Sequence, residues 1–199
     1  MLRLVIIYFL ALHLNGSAQQ TLVLGNHSPL SKNLFLESYD TVQRKDLLEY
    51  DVVYIFSEAI SYIDQQFLDQ IDTFLQAGKG IYIGSENWPL QTDARLITQH
   101  LFQKEFWENR SEIQSNSTKE ECKNLNSEEI QAGQSIVTFP MDVRLNVEVW
   151  VDDEPLIMSS KYRGGKIILD GGYSRFYSKG ISNSSRALWK EINDFLTGN

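Results

Sequence analysis

Few side chains in this sequence have the chemistry of a catalyst or a metal ligand. The 199 residues include one cysteine, Cys122, and three histidines, His13, His27 and His100. A lone cysteine excludes an internal disulfide framework and any multi-cysteine zinc site. His27 and His100 are too far apart to suggest a histidine-rich zinc site, and no metal is expected. His100 stands beside Ile97 and Leu101 and reads as a partly buried structural histidine. Asp152-Asp153-Glu154 puts three acids together. Calcium loops space their oxygen ligands differently, so these acids read as a solvated turn. Gly171-Gly172-Tyr173-Ser174-Arg175-Phe176 is a glycine turn whose amides, with Arg175, could contact an anion. Neither G-x-x-x-x-G-K-[ST] nor G-x-G-x-x-G occurs, so no nucleotide cofactor is implied. Asn26, Asn109, Asn116 and Asn183 each begin an N-x-[ST] sequon, usable only on a glycosylating secretory route.

The elements that must position these residues begin after an address. Arg3 is followed by an apolar run from Leu4 to Leu14, interrupted by His13, and then by Asn15-Gly16-Ser17-Ala18. Charge, short apolar stretch and small residues are the layout of a signal peptide over residues 1–18, cut before Gln19. The run is too short to span a bilayer, and no later segment reaches that length. The mature chain, residues 19–199, is therefore expected in the periplasm or outside the cell. With 26 acidic and 18 basic residues the net charge is −8, a poor match for nucleic acid. A hydrophobic content of 42% is enough for one packed domain.

Thr21–Leu24 reads as a short buried strand, and Asp51–Phe56 as a central one covered on both faces. Residues 26–46 are open between helix and strand. Ser61 and Asp64 have capping-box-like spacing. Ile63, Phe67, Leu68, Ile71, Phe74 and Leu75 then form one helical stripe, closed by Gly78. Gly80–Gly84 follows as a second buried strand, which completes a βαβ unit. Asp93 is placed to cap a helix carrying Leu96, Ile97 and Leu101. Residues 108–134 turn polar and read as a solvated insertion, with room for a short helix near Ser117 to Leu125. Strands are expected at Ser135–Phe139, Leu145–Val151, Pro155–Met158 and Lys166–Asp170, with a turn at Arg163-Gly164-Gly165. Ser184 or Ser185 is placed to cap a terminal helix with Leu188, Trp189, Ile192, Phe195 and Leu196 inward.

Three stretches carry a resemblance: Glu49–Ile55, Ile71–Gly84, and Pro155–Ile157 through Tyr162–Leu169. Together they resemble the class I glutamine amidotransferase-like superfamily, over about half of the chain. The resemblance implies an α/β fold: three-layer, flavodoxin-like, with an open, mostly parallel sheet, a C-terminal β-hairpin region and a terminal helix. In active members a cysteine nucleophile follows the strand matched here by Gly80–Gly84, and a histidine follows a late strand. Here Ser85-Glu86-Asn87-Trp88 stands at the first place, and no histidine follows His100. The resemblance is thus to the non-catalytic, extracytoplasmic branches.

Ser85 is left at the nucleophile-like position. A serine needs a base within reach, and His27, after the first strand, falls on the same expected edge, with Glu86 adjacent. That trio defines one alternative, a serine hydrolase using Ser85, His27 and Glu86. The leading expectation is a non-catalytic module that binds a small ligand or an envelope protein in the crevice at the carboxyl ends of the strands. Its lining would come from Asn26, Ser57, Glu58, Ser85, Glu86, Asn87, Trp88, Ser174 and Arg175. A further alternative is an envelope component docking through the insertion 108–134. No cofactor is expected under any of these readings.

Overall fold

The structure, a computed structural model, describes residues 19–30, 34, 39–41, 43, 45–58, 63–104, 107–111, 116–117, 130–131, 135–151, 153–179 and 181–198. The expected signal peptide, Ser61, Cys122 and Asp152 lie outside these residues, as does most of the insertion 108–134. In chain order the elements are β1 (Thr21–Gly25), β2 (Tyr39–Asp40), β3 (Val52–Phe56), α1 (Gln65–Gln76), β4 (Gly80–Gly84) and α2 (Thr92–Phe102). Then come β5 (Trp107–Ser111), β6 (Asn116–Ser117), β7 (Ile130–Gln131), β8 (Ser135–Thr138), β9 (Asn146–Val151), β10 (Glu154–Tyr162), β11 (Gly165–Asp170) and α3 (Asn183–Thr197).

Seven strands form one sheet in the order β2-β1-β3-β4-β11-β10-β9. The first five run parallel, and β10 is antiparallel to both β11 and β9. The protein is mixed α/β with a mostly parallel sheet. The expected βαβ unit is β3-α1-β4, whose strands pair in parallel from Val52↔Gly80 to Phe56↔Gly84. In the stretch left open, Tyr39–Asp40 adds an edge strand beside Thr21 and Leu22. The β10–β11 turn holds Arg163 at φ 55° and Gly164 at φ 96°. Both central residues lie in the left-handed region, as a tight two-residue hairpin requires.

Alternation along the strands divides the core between the two faces of the sheet. Val53, Ile55, Ile81 and Ile83 pack with Phe67, Ile71 and Phe74 of α1 and Ile97 and Leu101 of α2. Val52, Tyr54, Phe56 and Tyr82 pack on the other cluster, with Leu188, Trp189, Ile192 and Leu196 of α3. Each large side chain buried this way contributes about 1.5–3 kcal/mol.

The helix ends differ from expectation in instructive ways. Asp64 caps α1, its carboxylate accepting from the Phe67 amide at 2.9 Å. Asp93 does not cap α2: the capping position is Gln91, which makes no side-chain bond there. Instead Ser57, from the loop after β3, accepts from the Asp93 and Ala94 amides at 3.0 and 3.2 Å. Asp93 in turn accepts from the Glu58 amide at 2.6 Å. The cap of α3 is Ser182, not Ser184 or Ser185, with its hydroxyl accepting from the Ser185 amide at 3.0 Å.

Candidate functional site

The sheet's hydrogen-bond ladder runs one residue past the carboxyl ends of its parallel strands. Asn26 N–H donates to Phe56 O at 2.8 Å, Ser57 N–H to Gly84 O at 2.9 Å, and Ser85 N–H to Asp170 O at 2.7 Å. Those bonds draw the loops after β1, β3, β4 and β11 to one edge, where the crevice was expected.

The centre of that edge is occupied by the chain's own side chains. Arg175 and Asp170 form an ion pair in which neither side chain is exposed. Arg175 Nη1 lies 2.8 Å from each Asp170 oxygen. Tyr82 Oη donates to Asp170 Oδ2 at 2.7 Å, and the Gly172 amide donates to Oδ1 at 2.9 Å. Burial pushes the Tyr82 phenol well above its ordinary pKa. At the glycine turn the Arg175 guanidinium is paired with the chain's own Asp170 carboxylate.

Glu86 is the second buried acid, 1% exposed. Its Oε1 accepts from the Ser174 amide at 2.6 Å, and its Oε2 from the Ser135 hydroxyl. Burial raises its carboxyl to about 7, against the lowering effects of the Ser135 and Ser174 bonds and the Arg175 charge. Tyr173 donates to Ser57 O at 3.0 Å. Asn26 Nδ2 donates to Tyr173 Oη and Tyr177 Oη at 3.2 and 3.3 Å.

Ser85, His27 and Glu86 do not assemble into a relay. The Ser85 hydroxyl is fully buried and has no hydrogen-bond partner among the described residues. His27 Nδ1 sits 2.7 Å from Gly25 O. A nucleophile needs its base within hydrogen-bond reach, and no hydrogen bond joins these two. Of the expected lining residues, Ser57, Ser85, Glu86, Ser174 and Arg175 are buried. Asn26 and Asn87 are half-buried, while Glu58 and Trp88 are exposed. Away from this edge, His100 Nε2 lies 3.2 Å from Asp72 Oδ2, and Arg163 Nη1 lies 2.5 Å from Asp72 Oδ1. His100 thus sits on α2 near Asp72 of α1, its buried Nε2 without a hydrogen-bond partner among the described residues. Among the described residues no group of three His, Cys, Asp or Glu is arranged to hold a metal ion. No helix among them is long and apolar enough to cross a membrane.

Sequence reasoning passed over Asp170, Tyr82 and Ser135. An aspartate ending the apolar run KIILD and a tyrosine inside GIYIG were the available signals. A charged or hydroxylated side chain in a buried strand must find a partner.

No protein-family model matches the chain, and no curated protein does. Solved structures do. A cytoplasmic protein from Salmonella typhimurium LT2 is 10% identical with a TM-score of 0.65, over 89% of this chain and 100% of that one. The mmIFT52 N-terminal domain is 9% identical with a TM-score of 0.64, over 89% and 97%. Gan42B, a GH42 β-galactosidase from G. stearothermophilus, is 11% identical with a TM-score of 0.53. That match covers 78% of this chain, which spans 27% of the galactosidase. At such identities the likeness is one of fold.

Proposed function

We propose that this chain is an extracytoplasmic, non-catalytic α/β module that works by binding a partner rather than by transforming a substrate. We read it as a three-layer, flavodoxin-like domain of the amidotransferase-like kind. The parallel strand order β2-β1-β3-β4-β11 supports that reading, since it is the flavodoxin-like order. So does the division of the helices between two apolar clusters. The signal-peptide layout of residues 1–18 supports export. The occurrence of similar folds as an N-terminal domain and as part of longer enzymes fits a module.

The observation that carries the proposal is how the crevice side chains are used. Glu86 is bonded to the Ser174 amide and the Ser135 hydroxyl, and Asp170 to Arg175, to Tyr82 and to the Gly172 amide. Ser85 is buried, with no base on its hydroxyl among the described residues. A broad serine-directed fluorophosphonate probe tests this on purified mature protein, with Ser85→Ala as control. Wild type and variant are expected to remain equally unlabelled. Labelling that vanishes in Ser85→Ala would sink the non-catalytic reading and establish a serine nucleophile.

A further inference from the structure

A cut before Gln19 makes a glutamine the first residue of the mature chain. The structure ties the chain down immediately after it. Gln20 N–H donates to Asp51 Oδ2 at 2.8 Å, and Gln20 O accepts from the Asp51 and Val52 amides at 2.8 and 3.5 Å. Gln20 Oε1 accepts from Lys45 Nζ at 2.8 Å. Lys79 Nζ lies 3.6 Å from the other Asp51 oxygen. Gln20 is thus held through backbone and side chain, and Thr21 is already in β1. Gln19 is the single residue between the expected cut and that knot, and it lies outside any helix or strand.

We propose that Gln19 is a modification site, which closes to pyroglutamate after cleavage, so that the mature chain begins with an uncharged lactam. The proposal rests on the export reading, because cleavage supplies the free α-amine. The unprotonated α-amine attacks Cδ of its own side chain. The Nα–Cδ bond forms, the Cδ–Nε2 bond breaks, and one amine hydrogen leaves with the amide nitrogen as ammonia. Nothing else is consumed. The attack is intramolecular and closes a five-membered ring, so the reacting atoms are held together by the residue itself. An α-amine has a pKa of about 7.7–8.0, so a usable share is unprotonated near neutral pH. Gln20 cannot react in this way, since its nitrogen is a peptide amide bonded to Asp51.

Ring closure keeps what the fold uses. The Gln19 carbonyl and the Gln20 N–H are untouched, so the bond to Asp51 survives. What disappears is an α-ammonium one residue away from the Asp51 carboxylate. Lys79 and Lys45 already bring positive charge to that corner, Lys79 beside Asp51 and Lys45 on Gln20. The terminus ahead of β1 is then neutral, and an exopeptidase that grips a free α-amine finds none.

The full chain, expressed in a secreting bacterium and collected outside the cytoplasm, is held at physiological temperature until its mass is constant. Intact mass and the first peptide, read after amine-directed labelling, test the site. The expected product starts at Gln19, is lighter by one ammonia located on that residue, and takes no label at its terminus. Gln19→Ala, which cannot cyclise, is expected at its full mass with a labelled α-amine. A wild-type chain that keeps the ammonia and labels at Gln19 would overturn the proposal and leave export standing. A mature chain that starts at any other residue would do the same, as would ammonia lost from another side chain. A chain still carrying residues 1–18 would overturn the export reading itself, and the lactam with it.

Discussion

Arg175 and Asp170 are charged groups placed where neither side chain touches water. Taking both from solvent is costly, and the pair is tolerable because one guanidinium nitrogen, Nη1, reaches both Asp170 oxygens while Tyr82 and Gly172 also donate to the carboxylate. Breaking it from one side leaves an uncompensated buried charge. Arg175→Met is therefore expected to lower the unfolding free energy by about 3–5 kcal/mol in urea. Tyr82→Phe removes one bond to a charged acceptor and is expected to cost about 1.5–3 kcal/mol. A loss below about 1 kcal/mol in Arg175→Met would show that the pair does not hold this edge together. The sequence marked Arg175 as an anion contact because a glycine turn precedes it. The identity of the anion was hidden, because Asp170 reads as the polar end of an apolar strand. Only the turn through Gly171 and Gly172 brings its carboxylate back onto the guanidinium.

Gly171 shows what links the elements. A Cβ built there would lie 1.8 Å from Val137 O, so only a residue without a side chain lets β8 cross the end of β11. Gly171→Ala must push β8 away. It is expected to lower stability by about 1–3 kcal/mol and to abolish exchange protection at Val137. Ser182→Ala is the contrasting change, because it removes a local cap from α3. It is expected to cost about 1 kcal/mol and leave Val137 protected. A Gly171→Ala protein with Val137 still protected would mean that β8 is held from elsewhere. Helices α1 and α3 were legible because an apolar stripe at 3.6-residue spacing is a local pattern. The capping of α2 by Ser57 was not, since donor and acceptor are 36 and 37 residues apart in the chain. For the same reason β8 was legible as a strand but not as the lid of an edge: its register with Gly171 is a long-range contact.

At the scale of the molecule, continuous apolar runs such as Asp51–Phe56 announced a parallel sheet covered on both faces, and βαβ spacing paired β3 with β4. Sheet order beyond that pair, and the outward placement of β10 and β9, depend on which edges remain after the helices pack. The proposed export rests on residues 1–18 rather than on the fold. Residues 1–18 carry one charge, Arg3, ahead of the apolar run, and no acid. Removing them takes the formal net charge from −8 to −9 and leaves Gln19, with Gln20 bonded through its amide to Asp51 Oδ2 at 2.8 Å. Strand β1 starts at Thr21, two residues after the expected new terminus at Gln19. Expressed from its own first residue in a secreting bacterium, the protein is expected outside the cytoplasm with a mass that begins at Gln19. A chain that stays in the cytoplasm with its first eighteen residues attached would remove export from the proposed function.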